Sequence, residues 1–245
     1  ESGKLQIEES EVTLSEVLID VNNLIRPMAQ EKNIQFAIEN KIVNDFTELA
    51  LKEIQMDIRS DGTFSAGAKW PAAWTRDMSY AIDLSLSFLF PEAVEKSLAS
   101  RVENGMILQD TGSGGSYPVS TDRIVWGIAA YDYALFKQDP EYFKWVYDVI
   151  NKTLDNDLLV NFNSEKNIFR GETSFLDWRE QTYPRWMDSV FIASSYALGT
   201  NNDYYGAIKA AEKLSHILNL SDEEKNVLKK LVKALKDETA KNRRC

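Results

Sequence analysis

The sequence has very few of the side chains on which metal centres, disulfides and nucleophilic triads depend. Its 245 residues include one cysteine, Cys245, and one histidine, His216. A single cysteine excludes an intramolecular disulfide and a cysteine-ligated metal site. His216 lies in a helical pattern, where a lone histidine is far more often a surface or packing residue than a catalyst. We therefore predict no Ser-His-Asp triad, no metal site and no cofactor.

Positive charge and long apolar runs are also scarce. The chain has 38 acidic and 28 basic residues, which gives a net charge of −10. Binding to phosphate groups needs clusters of basic residues, so this balance argues against nucleic acid or an anionic membrane as the main partner. No apolar run approaches the roughly 20 residues of a membrane span, and no signal peptide is recognisable, so we predict no membrane insertion.

What the sequence does contain is apolar and aromatic side chains. Hydrophobic residues make up 44% of the chain, with 6 Trp, 10 Tyr and 11 Phe. This is enough to build a sizeable core. Aromatic rings also stack on sugar faces, although most rings in a protein are buried. The composition predicts a folded chain, and its acidic charge balance fits a neutral polar substrate.

Residues 1–40 differ in pattern from the rest. Apolar residues over 14–25 recur at helical spacing, and the alternation of Ile34, Phe36 and Ile38 predicts a short strand. This order, with the opening Glu-Ser-Gly-Lys-Leu, resembles the junction between the dimerisation helices and the ATP-binding domain of sensor histidine kinases. The acceptor His and the ATP-binding motifs of that family are absent. The resemblance therefore implies a linker fragment without kinase activity.

The remainder of the chain is an array of predicted helices. They cover 42–58, 76–90, 91–102, 121–138, 140–157, 184–198, 203–218 and 221–241. Pro91 and Pro140 stand at first helical positions, and Ser221-Asp-Glu-Glu224 is a capping box. Two long loops, 104–120 and 161–183, interrupt the array. Paired helices without a heptad seam predict an all-α fold of the α/α toroid kind, not a coiled coil.

Polar loops carry three motifs that point to chemistry. The first is Trp-Pro-Ala-Ala-Trp-Thr-Arg-Asp over residues 70–77, at a loop-to-helix junction. Asp77 could cap the helix, but a cap does not explain Arg76 beside it or the two Trp before it. An Arg–Asp pair binds vicinal hydroxyls as donor and acceptor while a Trp stacks on the sugar. We predict Trp74, Arg76 and Asp77 as sugar contacts.

The second motif is the Gly-rich segment 109–126. It lacks the Lys-Ser/Thr of a phosphate-binding loop, but its glycines let the backbone approach a ligand closely. Asp122 and Arg123 repeat the acid–arginine chemistry at the next helix start. We predict both as sugar contacts, with simple caps and salt bridges as the alternative.

The third motif, over residues 170–187, combines the carboxylates Glu172, Asp177 and Glu180 with Trp178. Glycoside hydrolysis needs one acid to protonate the leaving oxygen, and an apolar wall raises the pKa of such an acid. A second carboxylate activates water from the opposite face. The three carboxylates are the candidate catalytic residues and Trp178 is a further candidate sugar contact. A structural salt-bridged loop is the alternative.

These motifs resemble those of a known group of enzymes. Trp74-Thr-Arg-Asp77 resembles the Trp-x-Arg-Asp of glucoamylases and other six-hairpin glycosidases, in which the Arg-Asp pair binds sugar hydroxyls. Glu172-Thr-Ser-Phe-Leu-Asp177-Trp is similar to the Glu-Ser-Gly-Trp-Asp of trehalases and processing α-glucosidases, whose Asp is the general acid. The match implies Asp177 as the acid. One extra residue separates Glu from Asp here, so Glu180 and Glu172 remain alternatives.

Over residues 42–236 the combination looks like six-hairpin glycosidase-like proteins of gut-type bacteria, which implies a periplasmic or extracellular location. The resemblance implies an oligo- or polysaccharide substrate, α-linked and hydrolysed with inversion. The helices after residue 40 are fewer than six hairpins need, and in the superfamily the general base comes from the C-terminal part of the barrel. We therefore expect 41–245 to be a partial (α/α)6 toroid, an incomplete glycosidase-like domain. The alternatives are a non-catalytic carbohydrate-binding or scaffold toroid and a remnant of a sensor kinase fusion.

Overall fold

The computed structural model describes residues 33–67, 69–110, 116–172, 183–184 and 186–242. These residues form helices and two short β-hairpins, which confirms the all-α fold class. The chain divides into two compact units, Glu1–Gln55 and Met56–Cys245. The described part of the first unit belongs to a single helix, α1 (Asn33–Met56).

The strand predicted near residue 34 is wrong, because Ile34, Phe36 and Ile38 belong to α1. Ile34 and Ile38 are four residues apart, and Ile42 and Phe46 continue the same spacing. Side chains four residues apart share one face of a helix, so these residues also satisfy a helical pattern. The helix predicted over 14–25 lies outside the described residues.

The second unit contains the remaining elements. Its helical segments are α2 (Thr75–Ala81), a π-helical segment (Ile82–Leu86), α3 (Ser87–Leu89), α4 (Pro91–Ser100), a 3-10 helix (Asp122–Val125), α5 (Trp126–Lys137), α6 (Pro140–Val160), α7 (Ser189–Ala193), α8 (Leu198–Ile217) and α9 (Asp222–Asn242). Its strands are β1 (Val102–Glu103), β2 (Met106–Ile107), β3 (Phe162–Asn163) and β4 (Ile168–Phe169).

Most helix predictions in this unit are confirmed, including the capping box of α9. Ser221 N donates to Glu224 Oε2 over 3.1 Å, and Glu224 N donates to Ser221 Oγ over 3.3 Å. The two bonds satisfy backbone groups at the helix start that have no partner inside the helix.

The helix predicted over 184–198 is wrong. In the described part of that range, α7 is helical over five residues, and Leu198 is the first residue of a separate helix, α8. Asp188 caps α7 by accepting from Phe191 N at 2.9 Å. The hydroxyls of Ser194 and Ser195 then donate to carbonyl oxygens of the preceding turn. Serine side chains of this kind compete with the backbone ladder, and α7 ends after five residues.

The two predicted long loops contain strands: β2 of one antiparallel hairpin lies in the loop over 104–120, and the whole of a second hairpin lies in the loop over 161–183. In β1–β2, Val102 pairs with Ile107, and Asn104 and Gly105 form the turn with φ of 51° and 74°. Two successive residues with positive φ make the tight turn that Asn-Gly favours. In β3–β4, Phe162 pairs with Phe169.

The helices pack around α5. Helices α2, α4, α6 and α8 all contact it, and α9 packs on α8. The approach is close because the buried face of α5 contains several small residues. A Cβ at Gly127 would lie 3.1 Å from both Ala207 of α8 and Ile150 of α6. A larger residue at this position would push the helices apart.

Three packed helical segments also bring ionisable side chains together. Asp83 of the π-helical segment forms a hydrogen bond with Asp132 of α5, and Lys213 of α8 is close enough for its charge to act on Asp132. Burial, the hydrogen bond to Asp83 and the Asp83 charge raise the pKa of Asp132 to about 7, although Lys213 lowers it in part. Asp132 is therefore partly protonated in neutral solution.

This raised pKa predicts a dependence of stability on pH. The folded chain holds the proton more tightly than the unfolded chain, whose aspartate titrates near its ordinary value. The stabilisation is complete below about pH 4 and is lost as the pH rises to about 7. We expect the free energy of unfolding, measured by urea denaturation, to fall over this window. Asp132→Asn should flatten the fall, and Asp155→Asn, on the exposed face of α6, should not. Equal slopes for wild type and Asp132→Asn would contradict the prediction.

Candidate functional site

The starts of α2, the 3-10 helix and α8 meet at one end of the second unit. Arg76 in the first turn of α2 pairs with Asp122 at the start of the 3-10 helix, with Nη1 3.3 Å from Oδ2. Ser120 Oγ donates to Glu172, whose carbonyl accepts from Thr200 Oγ1 of α8 over 2.5 Å. The structure therefore brings Arg76 of the first motif and Asp122 of the second motif together at one end of the helices. We refer to Arg76, Asp77 and Asp122 as the carboxylate–arginine cluster.

Helix α2 is capped by a distant residue, not by a residue of its own. Trp74 occupies the N-cap position and its side chain makes no capping bond. The carboxylate of Asp110 instead accepts from Thr75 N, and Arg101 donates both to Asp110 and to Thr75 Oγ1. Burial raises the pKa of Asp110, although the charge of Arg101 and the bonds from Thr75 oppose the shift. The capping role predicted as an alternative for Asp77 is therefore filled by Asp110.

Asp122 is a buried carboxylate held from two sides. Its Oδ2 accepts from Arg76, and its Oδ1 accepts from Gln109 Nε2 over 2.7 Å. Gln109 also accepts from the backbone N–H of Arg123 over 2.9 Å, so a single side chain fixes both the carboxylate and the backbone beside it. These bonds orient Asp122 towards Arg76.

Arg76 lies between Asp122 and a second carboxylate, that of Asp77. Its Nη2 is 3.8 Å from Asp77 Oδ2. The side chain of Asp77 is 46% exposed, that of Arg76 17% and that of Asp122 6%. The exposed carboxylate of Asp77 therefore lies beside a mostly buried guanidinium, which is backed by a buried counter-charge. This arrangement can bind hydroxyl groups of a neutral ligand.

Arg123, predicted as a sugar contact, points into the interior. Its Nη2 lies 2.5 Å from Asp157 Oδ1, and its Nη1 donates to Ile107 O over 3.0 Å. Its guanidinium stacks 4.0 Å from the ring centroid of Tyr117. The other oxygen of Asp157 accepts from Tyr204 Oη over 2.8 Å. These contacts favour a structural role for Arg123, which anchors the backbone next to Asp122 in the interior.

The sequence interpretation missed Asp157 and Tyr204. The helical spacing of the sequence could have identified Asp157 as buried. It follows Leu154 by three residues and Thr153 by four, and both of these lie on the buried face of α6. An acid on an apolar helix face needs a cationic partner. The identity of that partner depends on tertiary packing.

Glu172 is the candidate catalytic residue that the structure describes, and it is buried, with 1% of its surface exposed. Its N–H donates to Val119 O over 3.1 Å, and its carboxylate accepts from Ser120. Burial at this position favours a structural role over direct contact with a substrate. The catalytic prediction then narrows to Asp177 and Glu180. Both of these, with Trp178, lie outside the described residues.

The two Trp of the first motif differ in exposure. Trp70 is 61% exposed, whereas Trp74 is half-buried at the start of α2. Either ring face can stack on a sugar, and the side chain of Trp74 is the one attached directly to the helix that carries the cluster.

The contact between the second and third motifs leads to a prediction at Gly171. Its φ is 136°, and a Cβ there would overlap the hydroxyl of Thr121. Gly171→Ala should lower the free energy of unfolding by about 1–3 kcal/mol for the backbone strain and more for the clash. Gly67→Ala is the matched control, because its φ is 134° and no atom lies within 4 Å of the added Cβ.

Denaturant titration of both variants separates strain from contact. Gly171→Ala should be the less stable variant, and Thr121→Ala in the same chain should recover part of the loss. Equal stability of the two glycine variants would show that the close contact does not limit this position.

No group of His, Cys, Asp or Glu side chains within the described ranges is arranged to hold a metal ion. Among the helices that the structure describes, none is long and apolar enough to cross a membrane. Comparison of the chain with protein-family models, with curated proteins and with solved structures found no match.

Proposed function

We propose that the second unit is a carbohydrate-active domain that binds a glycan over the carboxylate–arginine cluster. The observation that carries the proposal is the position of Arg76, between the exposed Asp77 and the buried, oriented Asp122. Vicinal sugar hydroxyls need a donor and an acceptor close together, and a planar guanidinium beside a carboxylate supplies both. The charge of Asp122 holds Arg76 in place without being exposed itself.

The neighbour relations of the helices support a toroid-like arrangement. The segment from α2 to α3 contacts α4, α5 contacts α6, and α8 contacts α9, so helices that follow one another in the chain are neighbours. Both α2 and α8 also contact α5. The proposal assigns α2, α5 and α8 to the inner ring of a partial (α/α)6 toroid. The cluster then lies where the inner helices begin, and ligand sites of helical scaffolds are built at such rigid ends.

The aromatic residues of the first motif fit the same function. Trp74 stands two residues before Arg76 in the chain. Trp70, four residues earlier, has an exposed indole ring. Stacking on a ring buries the apolar face of a sugar while its hydroxyls bond to Arg76 and Asp77. Binding by both means distinguishes a sugar from a simple anion, which would be repelled by the carboxylates of the cluster.

For hydrolysis we propose Asp177 as the general acid, with Glu180 as the alternative. The assignment rests on the resemblance of the sequence around residues 172–178 to trehalases and processing α-glucosidases. The expected substrate is an α-linked glycan cleaved with inversion, in which a second carboxylate activates water.

A non-catalytic carbohydrate-binding domain is the second candidate. The observation that favours it is the burial of Glu172, which removes one of the three candidate acids from the reach of a substrate. In this case the loop after Glu172 would contribute to binding only. The two candidates share the cluster and differ in whether sugar is released.

The binding proposal predicts the effect of Asp77→Asn. The amide keeps the size of the side chain but loses the charge, and a hydrogen bond to a charged group is worth enough to change affinity about tenfold. We expect the affinity for maltotriose, measured by calorimetry, to fall by about this factor. Asp148→Asn is the control, because it removes an exposed acid that pairs with Lys144 on α6. No binding by the wild type to any α-glucan tested, or equal affinity of both variants, would contradict the proposal.

The catalytic proposal predicts a different result for Asp177→Asn. Reducing-sugar release from a panel of α-glucans should fall by about 10²–10⁴-fold, because an amide cannot deliver a proton. Affinity for the same glucans should stay near that of the wild type. Loss of activity in Glu180→Gln alone would assign the acid to Glu180. Binding of glucans with no release by the wild type would favour the non-catalytic domain.

A further inference from the structure

A cavity lies beside the β3–β4 hairpin, and none of the carboxylate–arginine cluster lines it. Its volume is about 260 Å³, and it is bordered by Lys166 and Ile168 of the hairpin and by Tyr196 and Leu198 before and at the start of α8. Pockets for drug-sized ligands have volumes of about 300–1,000 Å³, so this cavity suits a molecule smaller than those.

The surroundings of Tyr196 in this cavity are positive. Lys166 Nζ lies 5.0 Å from the centroid of the Tyr196 ring, and Asn163 Nδ2 donates to the phenol oxygen over 2.6 Å. Burial raises the pKa of Tyr196, but hydrogen bonds from Arg170 and Asn163 and the charges of Arg170 and Lys166 outweigh it and lower the pKa. A phenol with a lowered pKa reports an environment that favours negative charge.

Two cationic side chains, those of Lys166 and Arg170, act on the Tyr196 phenol. Within the part of the chain that the structure describes, neither Lys166 nor Arg170 forms an ion pair with a carboxylate. The acidic residue of the lining, Glu238, has an interaction of its own.

We propose that this cavity binds a small molecule through an oxyanion, either a carboxylate or a phosphate. Lys166, which lines the cavity, and Arg170, which forms a hydrogen bond with Tyr196, would supply the charge. The Tyr196 hydroxyl, which accepts from Asn163, would be the hydrogen-bonding group of the wall. Charge-assisted bonds of this kind are stronger than neutral ones. Ile168 and Leu198 form the apolar part of the wall and would contact the body of the ligand.

The first test is direct binding to the full chain at constant ionic strength. The probes are inorganic phosphate, glucuronate and glucose, followed by calorimetry. Phosphate, glucuronate or both should bind in a way that depends on Lys166, whereas any binding of glucose at the carboxylate–arginine cluster should not depend on Lys166. Lys166→Gln should weaken binding about tenfold or more, because a charge-assisted contact is lost. Lys229→Gln, which removes an exposed lysine of α9, should bind like the wild type.

The second test uses Tyr196 as a reporter. An anion next to the phenol opposes its ionisation, so saturating phosphate or glucuronate should raise the pKa of Tyr196. The ultraviolet absorption of phenolate measures this, and Tyr196→Phe identifies which part of the titration belongs to Tyr196. By linkage, binding should weaken as Tyr196 ionises.

The outcomes separate the two sources of the oxyanion. Binding of phosphate alone assigns a phosphate site, and binding of glucuronate alone assigns a site for a carboxylate-bearing molecule. Binding of neither, or equal affinity of Lys166→Gln and Lys229→Gln for the anion that binds, would overturn the proposal. The glycan-binding function of the carboxylate–arginine cluster does not depend on the result.

Discussion

The ion pair between Arg123 and Asp157 is the interaction on which the candidate site depends. Both side chains are buried, so the pair forms at the expense of hydration and persists only with good geometry and further hydrogen bonds. The Ile107 carbonyl and the Tyr204 hydroxyl supply those bonds. Removing one partner of such a pair leaves the other charge buried, at a loss of about 3–5 kcal/mol. Since Arg123 directly follows Asp122, the pair also fixes the carboxylate that holds Arg76.

The sequence predicted helix ends correctly where the residues that fix the end are close together in the chain. The capping box at Ser221 is an example, because both of its bonds lie within one turn. The signal of Asn104-Gly105 was equally local and was overlooked within a predicted loop. The strand predicted from Ile34, Phe36 and Ile38 failed for another reason. Ile34 and Ile38 satisfy both the alternation of a strand and the four-residue spacing of a helix, so a segment this short does not distinguish the two.

The candidate site could be predicted as a set of residues but not as an arrangement. The sequence identified Arg76 and Asp122, and the structure pairs them. It could not reveal that Arg123, one residue later, points into the interior, because its partner Asp157 is more than thirty positions away. The burial of Glu172 depends in the same way on the segment that carries Ser120. Whether a carboxylate is exposed depends on which distant segments pack against it, and a sequence motif contains no information on those segments.

The central claim is that a glycan contacts Arg76 while Arg123 supports the site from within. The most direct measurement is nuclear magnetic resonance of the arginine Nε–H groups during a titration with maltotriose. The account predicts a saturable change in the Arg76 signal and little change in that of Arg123. An unchanged Arg76 signal, or a larger change at Arg123 than at Arg76, would contradict it.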